Sequence, residues 1–276
     1  MNSTVTFRFD QAWLEKLAIK YCEEYYQAKP FPHIVIDNFL PESVLDGVLN
    51  EFPKIDSINW QKFDAPEEKK LAAKQEQQMG ENTRLLLYQL NSSTFVNFLE
   101  ALTGIDGIIP DPHFEGGGLH QIERGGYLKM HVDFNRYSKL RLDRRLNLLI
   151  YLNKNWQEEY GGHLELWDKD MTQCEKKILP VFNRCVIFST TDYSYHGHPD
   201  PLNCPDGQTR KSLALYYYSN GRPKQEVSPG HSTIFQARPE EDLALKTPAS
   251  NKFKTVLKKL LPPILTEAKQ YLLRKP

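Results

Sequence analysis

The sequence predicts a mainly β protein with flanking helices, an α+β chain built around a jelly-roll core. Two observations carry that expectation. From about Gly116 onward the chain breaks into short apolar runs punctuated by Gly, Pro and Asn, the pattern of successive strands. Ahead of that point, apolar residues recur at helical spacing in several segments.

In chain order, residues from about Gln11 to Lys29 read as a helix, with Trp13, Leu17, Ile19 and Tyr21 set among charges. His33 to Phe39 reads as a short strand. Pro41 lacks an N–H and so suits a first helical turn; it opens a second helix carrying Val44, Leu45, Val48, Leu49 and Phe52. Lys62 to Asn82 is rich in Lys, Glu and Gln and reads as a solvated, mobile surface segment, with a substrate-covering lid as the alternative. Ser93 to Leu102 reads as a further helix supporting the sheet.

The core strands are expected at Leu146 to Leu152, His163 to Trp167, Asn183 to Phe188 and Ser212 to Tyr218. Short strands in two facing sheets form a jelly roll whose mouth can hold a metal among inward-facing residues. After Gly221 the prolines at 223, 229, 239 and 248 mark an irregular extension, and Asn251 to Pro276 reads as a helix broken at Pro262-Pro263. The expected organisation is a helical support region with an N-terminal strand at 1–110, a jelly-roll core at 111–222, and an extension with a basic C-terminal helix at 223–276.

Composition narrows the function classes. Lysines and arginines number 35 and so do the acids, so the formal charge is zero, which argues against nucleic acid as the principal partner. The tail from Asn251 carries Lys252, Lys254, Lys258, Lys259, Lys269, Arg274 and Lys275 against Glu267 alone; it covers its own domain or makes a peripheral contact with an anionic membrane or a protein partner. Cys22, Cys174, Cys185 and Cys204 are scattered without a Cys-x-x-Cys pair, so neither structural zinc nor a disulfide framework is expected, which suits a reducing cytoplasm. No secretory leader and no apolar run long enough to span a bilayer is read from the sequence. Oligomeric state is left open.

His131, Asp133 and His196 carry the chemistry. His-x-Asp followed some sixty residues later by His is the spacing of a 2-His-1-carboxylate triad, which occupies one face of a ferrous ion and leaves positions open for a cosubstrate and dioxygen. Alternate residues of a strand share a face, so 131 and 133 can grip one metal. By the same rule His198 would face the same way as His196, and either can be read as the third ligand. Arg210 opens the run Arg-Lys-Ser-Leu-Ala-Leu-Tyr-Tyr-Tyr, where a guanidinium offers a planar donor pair for the far carboxylate of a metal-chelated diacid.

The ordered segments Gly126-Tyr127-Leu128-Lys129-Met130-His131-Val132-Asp133, Arg145 to Asn153, Gly161 to Leu166, Asn183 to Phe188, His196 and Thr209 to Ser212 carry a family resemblance. From Gly125 to Tyr218 the chain resembles the iron(II)- and 2-oxoglutarate-dependent oxygenases, in particular the prolyl 4-hydroxylase-like branch. The resemblance implies a double-stranded β-helix, with His131, Asp133 and His196 as iron ligands, since the family pattern sets Ser-x-His-Gly before a proline. It implies that Arg210 anchors the distal carboxylate of 2-oxoglutarate, that the Tyr151 hydroxyl helps hold it, and that Tyr127 is a pocket tyrosine. It further implies a hydroxylase, since relatives that halogenate lack the carboxylate at the Asp133 position, and ascorbate as an assisting reductant. The His196-to-Arg210 connection, with Pro199, Pro201, Pro205 and Gly207, is longer than in the shortest relatives.

The substrate is expected to be a peptidyl side chain, possibly proline, or a small molecule, because the loops that choose it lie outside the resemblance. Two other classes share such a core: a metal-dependent hydrolase or isomerase, and a non-catalytic binding module. Arg210 and Tyr151 discriminate, since metal-activated water needs no dicarboxylate anchor.

Overall fold

The computed structural model describes residues 7–239; the basic tail expected as a helix lies outside the described residues. Local sequence explains the helices. In α1 (Gln11–Gln27) the Asp10 carboxylate accepts from Trp13 N at 2.8 Å, capping the first turn, and Leu14, Ala18 and Tyr25 form the buried stripe. α2 (Glu42–Asn50) follows Pro41 and buries Val44, Leu45 and Val48. α3 (Glu81–Leu90) has no side-chain cap of its own. α4 (Ser93–Thr103) starts on the Ser92 hydroxyl and stops at Gly104, whose φ of 67° is the left-handed turn glycine adopts readily.

Among the described residues fourteen strands make one antiparallel sheet. They are β1 (His33–Ile36), β2 (Gln61–Ala65), β3 (Glu68–Ala73), β4 (Ile109–Pro110), β5 (Gly118–Ile122), β6 (Tyr127–Val132), β7 (Arg136–Tyr137), β8 (Leu142–Tyr151), β9 (Leu164–Trp167), β10 (Cys174–Ile178), β11 (Cys185–Ser189), β12 (His196–His198), β13 (Arg210–Ser219) and β14 (Ile234–Phe235). The main path runs β1-β11-β8-β13-β5-β3-β6-β12-β9-β10, and β2, β4, β7 and β14 attach to its sides. The path curls over itself. Val186 and Phe188 of β11 pack with Leu164 and Leu166 of β9 and Ile178 of β10, so strands far apart along the path close on a shared core. This is the expected jelly roll, and its strands sit where the apolar runs place them.

The period of two in β8 divides the molecule. Leu146, Leu148 and Ile150 face the helices, in one core with Leu213, Leu215 and Tyr217 of β13 and Phe95, Phe98 and Leu99 of α4. Asn147 and Leu149 face the other way and line a cavity. The helices back one side of the sheet, and the polar chemistry collects on the other.

Two readings from sequence need correction. Lys62 to Asn82 is not a mobile surface segment: it holds the β2–β3 hairpin, with β3 hydrogen-bonded between β5 and β6, followed by the start of α3. Glu68 and Lys70 turn polar side chains toward the cavity while Leu71, Ala72 and Ala73 are buried, so a polar composition conceals an ordered strand. In addition, the expected N-terminal strand, β1, and the unexpected β2 and β3 are strands of the same sheet as the core, and β14 returns from beyond residue 222 to pair with β6. These elements all belong to a unit that ends at Ala237.

Candidate active site

His131 near the end of β6 and His196 at the start of β12 are register partners across adjacent antiparallel strands, and their ring centroids lie 4.4 Å apart. Each ring is oriented from behind: His131 Nδ1 is 2.9 Å from Lys129 O and His196 Nδ1 is 2.8 Å from Ser194 O. A proton held on Nδ1 by a carbonyl leaves Nε2 bare, the form in which imidazole binds metal. Asp133, just past β6, brings Oδ1 to 3.7 Å from His131 Nε2 and Oδ2 to 3.3 Å from His196 Nε2. One donor atom from each of the three residues lies within 4.8 Å of the others, and among the described residues no other His, Cys, Asp or Glu cluster does this.

Glycine makes this approach possible. A side chain on Gly197 would start 2.8 Å from Leu128 O and 2.9 Å from Lys129 O, so β12 lies against β6 only with glycine between the two histidines. The same stretch of β6 is bulged: His196 pairs with His131 and His198 with Leu128, so three steps on β6 face two on β12.

The bulge corrects one expectation. It switches the face of β6, so Leu128 joins His131 on the cavity wall and Tyr127 does not; the Tyr127 hydroxyl instead donates to Ala65 O at 3.4 Å. Tyr127 is therefore not placed in the pocket. On β12 the step of two is preserved, and both His196 and His198 line the cavity, but only His196 joins the three-residue cluster.

The carboxylate is held by residues that sequence reasoning passed over. Asp133 Oδ2 accepts from Asn147 Nδ2 at 2.7 Å and pairs with Arg144 Nη2 at 3.0 Å, leaving Oδ1 the less engaged oxygen. Arg144 is fully buried, lies on the Tyr216 ring and donates to Asn147 Oδ1. Burial alone would raise the Asp133 carboxyl, but the Arg144 guanidinium and His196 hold it well below the ordinary carboxylate range. The available signal was Arg144-Arg145 and Asn147 inside an otherwise apolar strand, where unpaired charge is too costly to bury.

Residues 117–218 match the profile of the 2OG-Fe(II) oxygenase superfamily. This chain carries an oxygenase domain of that superfamily. Prolyl 3-hydroxylase OGFOD1 of Mus musculus is 25% identical over 194 residues, 68% of this chain and 33% of that protein, so the chain matches about a third of the relative's length. A Pseudomonas putida prolyl-4-hydroxylase superposes with a TM-score of 0.51 at 16% identity, covering 77% of this chain and 100% of that one. A Trichoplax adhaerens prolyl hydroxylase, solved with a hypoxia inducible factor oxygen degradation domain peptide fragment, superposes with a TM-score of 0.50 at 19% identity, covering 75% and 91%. The superpositions show the jelly-roll fold.

Iron(II) and 2-oxoglutarate are the cofactors of this oxygenase class, and the donor set fits them. Two neutral imidazoles and a carboxylate form the metal face. Across the cavity, the Arg210 guanidinium is buried, donates from Nε to Gly162 O at 2.8 Å and from Nη2 to the Tyr151 hydroxyl at 3.4 Å, and pairs with no carboxylate among the described residues. Gly162, at φ 72°, lets the backbone come this close, since a Cβ there would meet Arg210 Cδ at 3.0 Å. Burial pushes the guanidinium down from its ordinary value with only Tyr151 opposing, which is the setting of a cation built to receive an anion. The cavity joining the two ends has a volume of 320 Å³. The oxygenase cavity is walled on its remaining side by Phe63 and Lys70 of the β2–β3 hairpin and by Phe235 of β14, whose ring centroid is 5.6 Å from that of His131.

Proposed function

We propose that this chain is an iron(II)- and 2-oxoglutarate-dependent hydroxylase acting on a peptidyl side chain, prolyl in the first instance, with His131, Asp133 and His196 as the iron ligands and Arg210 with Tyr151 as the seat of the distal carboxylate. The observation that carries this reading is the pairing of two features in one cavity: a three-donor metal face at one end and a buried guanidinium without an acid at the other. A metal-dependent hydrolase would need only the first.

The bound pair of iron(II) and 2-oxoglutarate supplies the oxidising chemistry, with dioxygen consumed and succinate and carbon dioxide released as a substrate C–H becomes C–OH. The protein supplies position. Lys129 O and Ser194 O fix the imidazole tautomers, Arg144 and Asn147 fix one carboxylate oxygen, and Arg210 neutralises an anion that burial would otherwise penalise. Leu149, Leu164, Phe188 and Phe235 line the cavity with apolar surface that keeps bulk water from the reacting centre.

The peptidyl and prolyl assignment is supported by the mouse prolyl 3-hydroxylase and by the peptide-bound prolyl hydroxylase of the same fold. Ascorbate enters this reading as an external reductant that returns stray ferric iron to the ferrous state. A cytoplasmic setting is supported by the scatter of Cys22, Cys174, Cys185 and Cys204, which form no Cys-x-x-Cys pair. Among the described residues no helix is long and apolar enough to cross a membrane.

The test is an anaerobic titration with ferrous iron and 2-oxoglutarate, followed by the weak visible charge-transfer band of the chelate, and then aerobic succinate release with proline-containing peptides. A band that requires both ligands and is lost in His131→Ala supports the oxygenase site. Metal-loaded, folded protein without the band overturns it.

A further inference from the structure

His198 lies two residues beyond His196 on β12, is 4% exposed and lines the same cavity as Arg210. It takes no part in the metal cluster. Its Nδ1 is sealed from solvent and has no hydrogen-bond partner among the described residues. That decides the tautomer. An orphaned N–H inside a protein is more costly than a bare acceptor lone pair, so the proton belongs on Nε2. Nε2 also makes no hydrogen bond among the described residues, and unlike Nδ1 it is not sealed from the cavity that His198 lines. The result is an N–H donor, nine-tenths buried, in the wall of the cavity, with nothing among the described residues to receive it.

Its position says what receives it. Two residues along a strand are about 6.6 Å, so β12 carries one histidine at the metal face and the next a step away from it, comparable with the length of a five-carbon diacid. His198 and Arg210 line one cavity, together with the cluster of His131, Asp133 and His196. An anion drawn to Arg210 thus enters the cavity that His198 also lines.

The geometry points to His198 as a cosubstrate-binding residue whose Nε2–H donates to the distal carboxylate of 2-oxoglutarate, alongside Arg210 and Tyr151, and to His196 alone as the β12 metal ligand. This inference rests on the oxygenase reading above. It also gives the His-Gly-His sequence a division of labour: the first histidine serves the metal, the glycine permits strand contact, and the second serves the cosubstrate.

The experiment is calorimetric binding, without turnover, of two 2-oxo acids to manganese(II)-loaded protein: 2-oxoglutarate, and 2-oxobutyrate, which keeps the chelating end but lacks the distal carboxylate. His198→Leu removes the donor at similar volume, and His198→Gln returns an N–H near the Nε2 position. The expected result is a loss of 2-oxoglutarate affinity of roughly ten- to hundredfold in His198→Leu, as for a hydrogen bond to a charged group. Binding of 2-oxobutyrate and of manganese(II) should be unchanged, and His198→Gln should restore most of the loss. Unchanged 2-oxoglutarate affinity overturns the inference. So does an equal loss for both acids, which marks a packing role, or a loss of manganese(II) affinity, which marks a metal role. Arg210→Ala separates the two levels: if it too fails to discriminate between the acids, or if wild-type protein binds neither, the oxygenase reading falls with the inference. If Arg210→Ala discriminates and His198→Leu does not, only the inference falls.

Discussion

Arg144 Nη2 stands 3.0 Å from Asp133 Oδ2, and the arginine is 1% exposed. A charge this deeply buried is tolerated because it is paired, stacked on Tyr216 and bonded to Asn147, and the same contacts fix the rotamer of the carboxylate. The triad geometry is therefore set from behind by β8.

Replacing Arg144 by Met keeps volume and removes the charge. The expected outcome is a fall in manganese(II) or iron(II) affinity of about 10–100-fold, typical of losing a residue that orients a metal ligand. Arg144→Lys should restore only part of it, since an ammonium cannot bridge Asp133 and Asn147 as the planar fork does. Competition with a chelator measures both; wild-type affinity in Arg144→Met would remove the orienting role.

Gly197→Ala should push β12 away from β6. Its Cβ would lie 2.8 Å from Leu128 O, a backbone atom with little freedom to give way. We expect a loss of stability of about 1–3 kcal/mol and a disproportionate loss of metal affinity, because His131 and His196 sit on the two strands being separated. Chemical denaturation and metal titration of the same variant check this; stability loss with metal affinity intact would contradict it.

The metal-free protein should lose stability as pH falls below about 6.5. Burial lowers the pKa of His33 from 6.5, and burial together with Lys70 lowers that of His120 to about 3. Both rings stay neutral in the fold while the unfolded chain takes up protons near pH 6.5. Their contribution is complete above that pH and is lost as pH drops toward the folded values. His33→Gln, away from the cavity, should make the decline of Tm between pH 7 and 5 shallower; an unchanged slope would dismiss His33 as a contributor.

Glu51→Ala should destabilise the helical support by about 1–3 kcal/mol. The Glu51 carboxylate, at the end of α2, accepts from Thr83 N at 2.6 Å, Thr83 Oγ1 at 2.7 Å and Asn82 N at 3.2 Å, satisfying the exposed first turn of α3. Urea unfolding measures the change, and 2-oxoglutarate affinity is expected to persist because α3 lies on the helical side of the sheet.

The sequence by itself determined the elements whose signals are local. The Asp10-capped α1, the Ser92-to-Gly104 α4 and the strands β8, β9, β11 and β13 were legible because capping chemistry and apolar periodicity act within a few residues. The sequence singled out His131, Asp133, His196 and Arg210 by residue type and order, and the structure clusters the first three and buries the fourth. The tertiary structure alone decided what depends on neighbours distant in sequence. α3 was unreadable because its cap comes from Glu51, some thirty residues earlier. β3 was unreadable because its polar side chains are accommodated by a cavity that the chain has yet to build at that point. The place of Leu128 rather than Tyr127 on the cavity wall turned on a single bulge between β6 and β12, and strand alternation cannot foresee an extra residue on one side of a pair; the grouping of His196 rather than His198 with His131 and Asp133 turned on the register of the two strands.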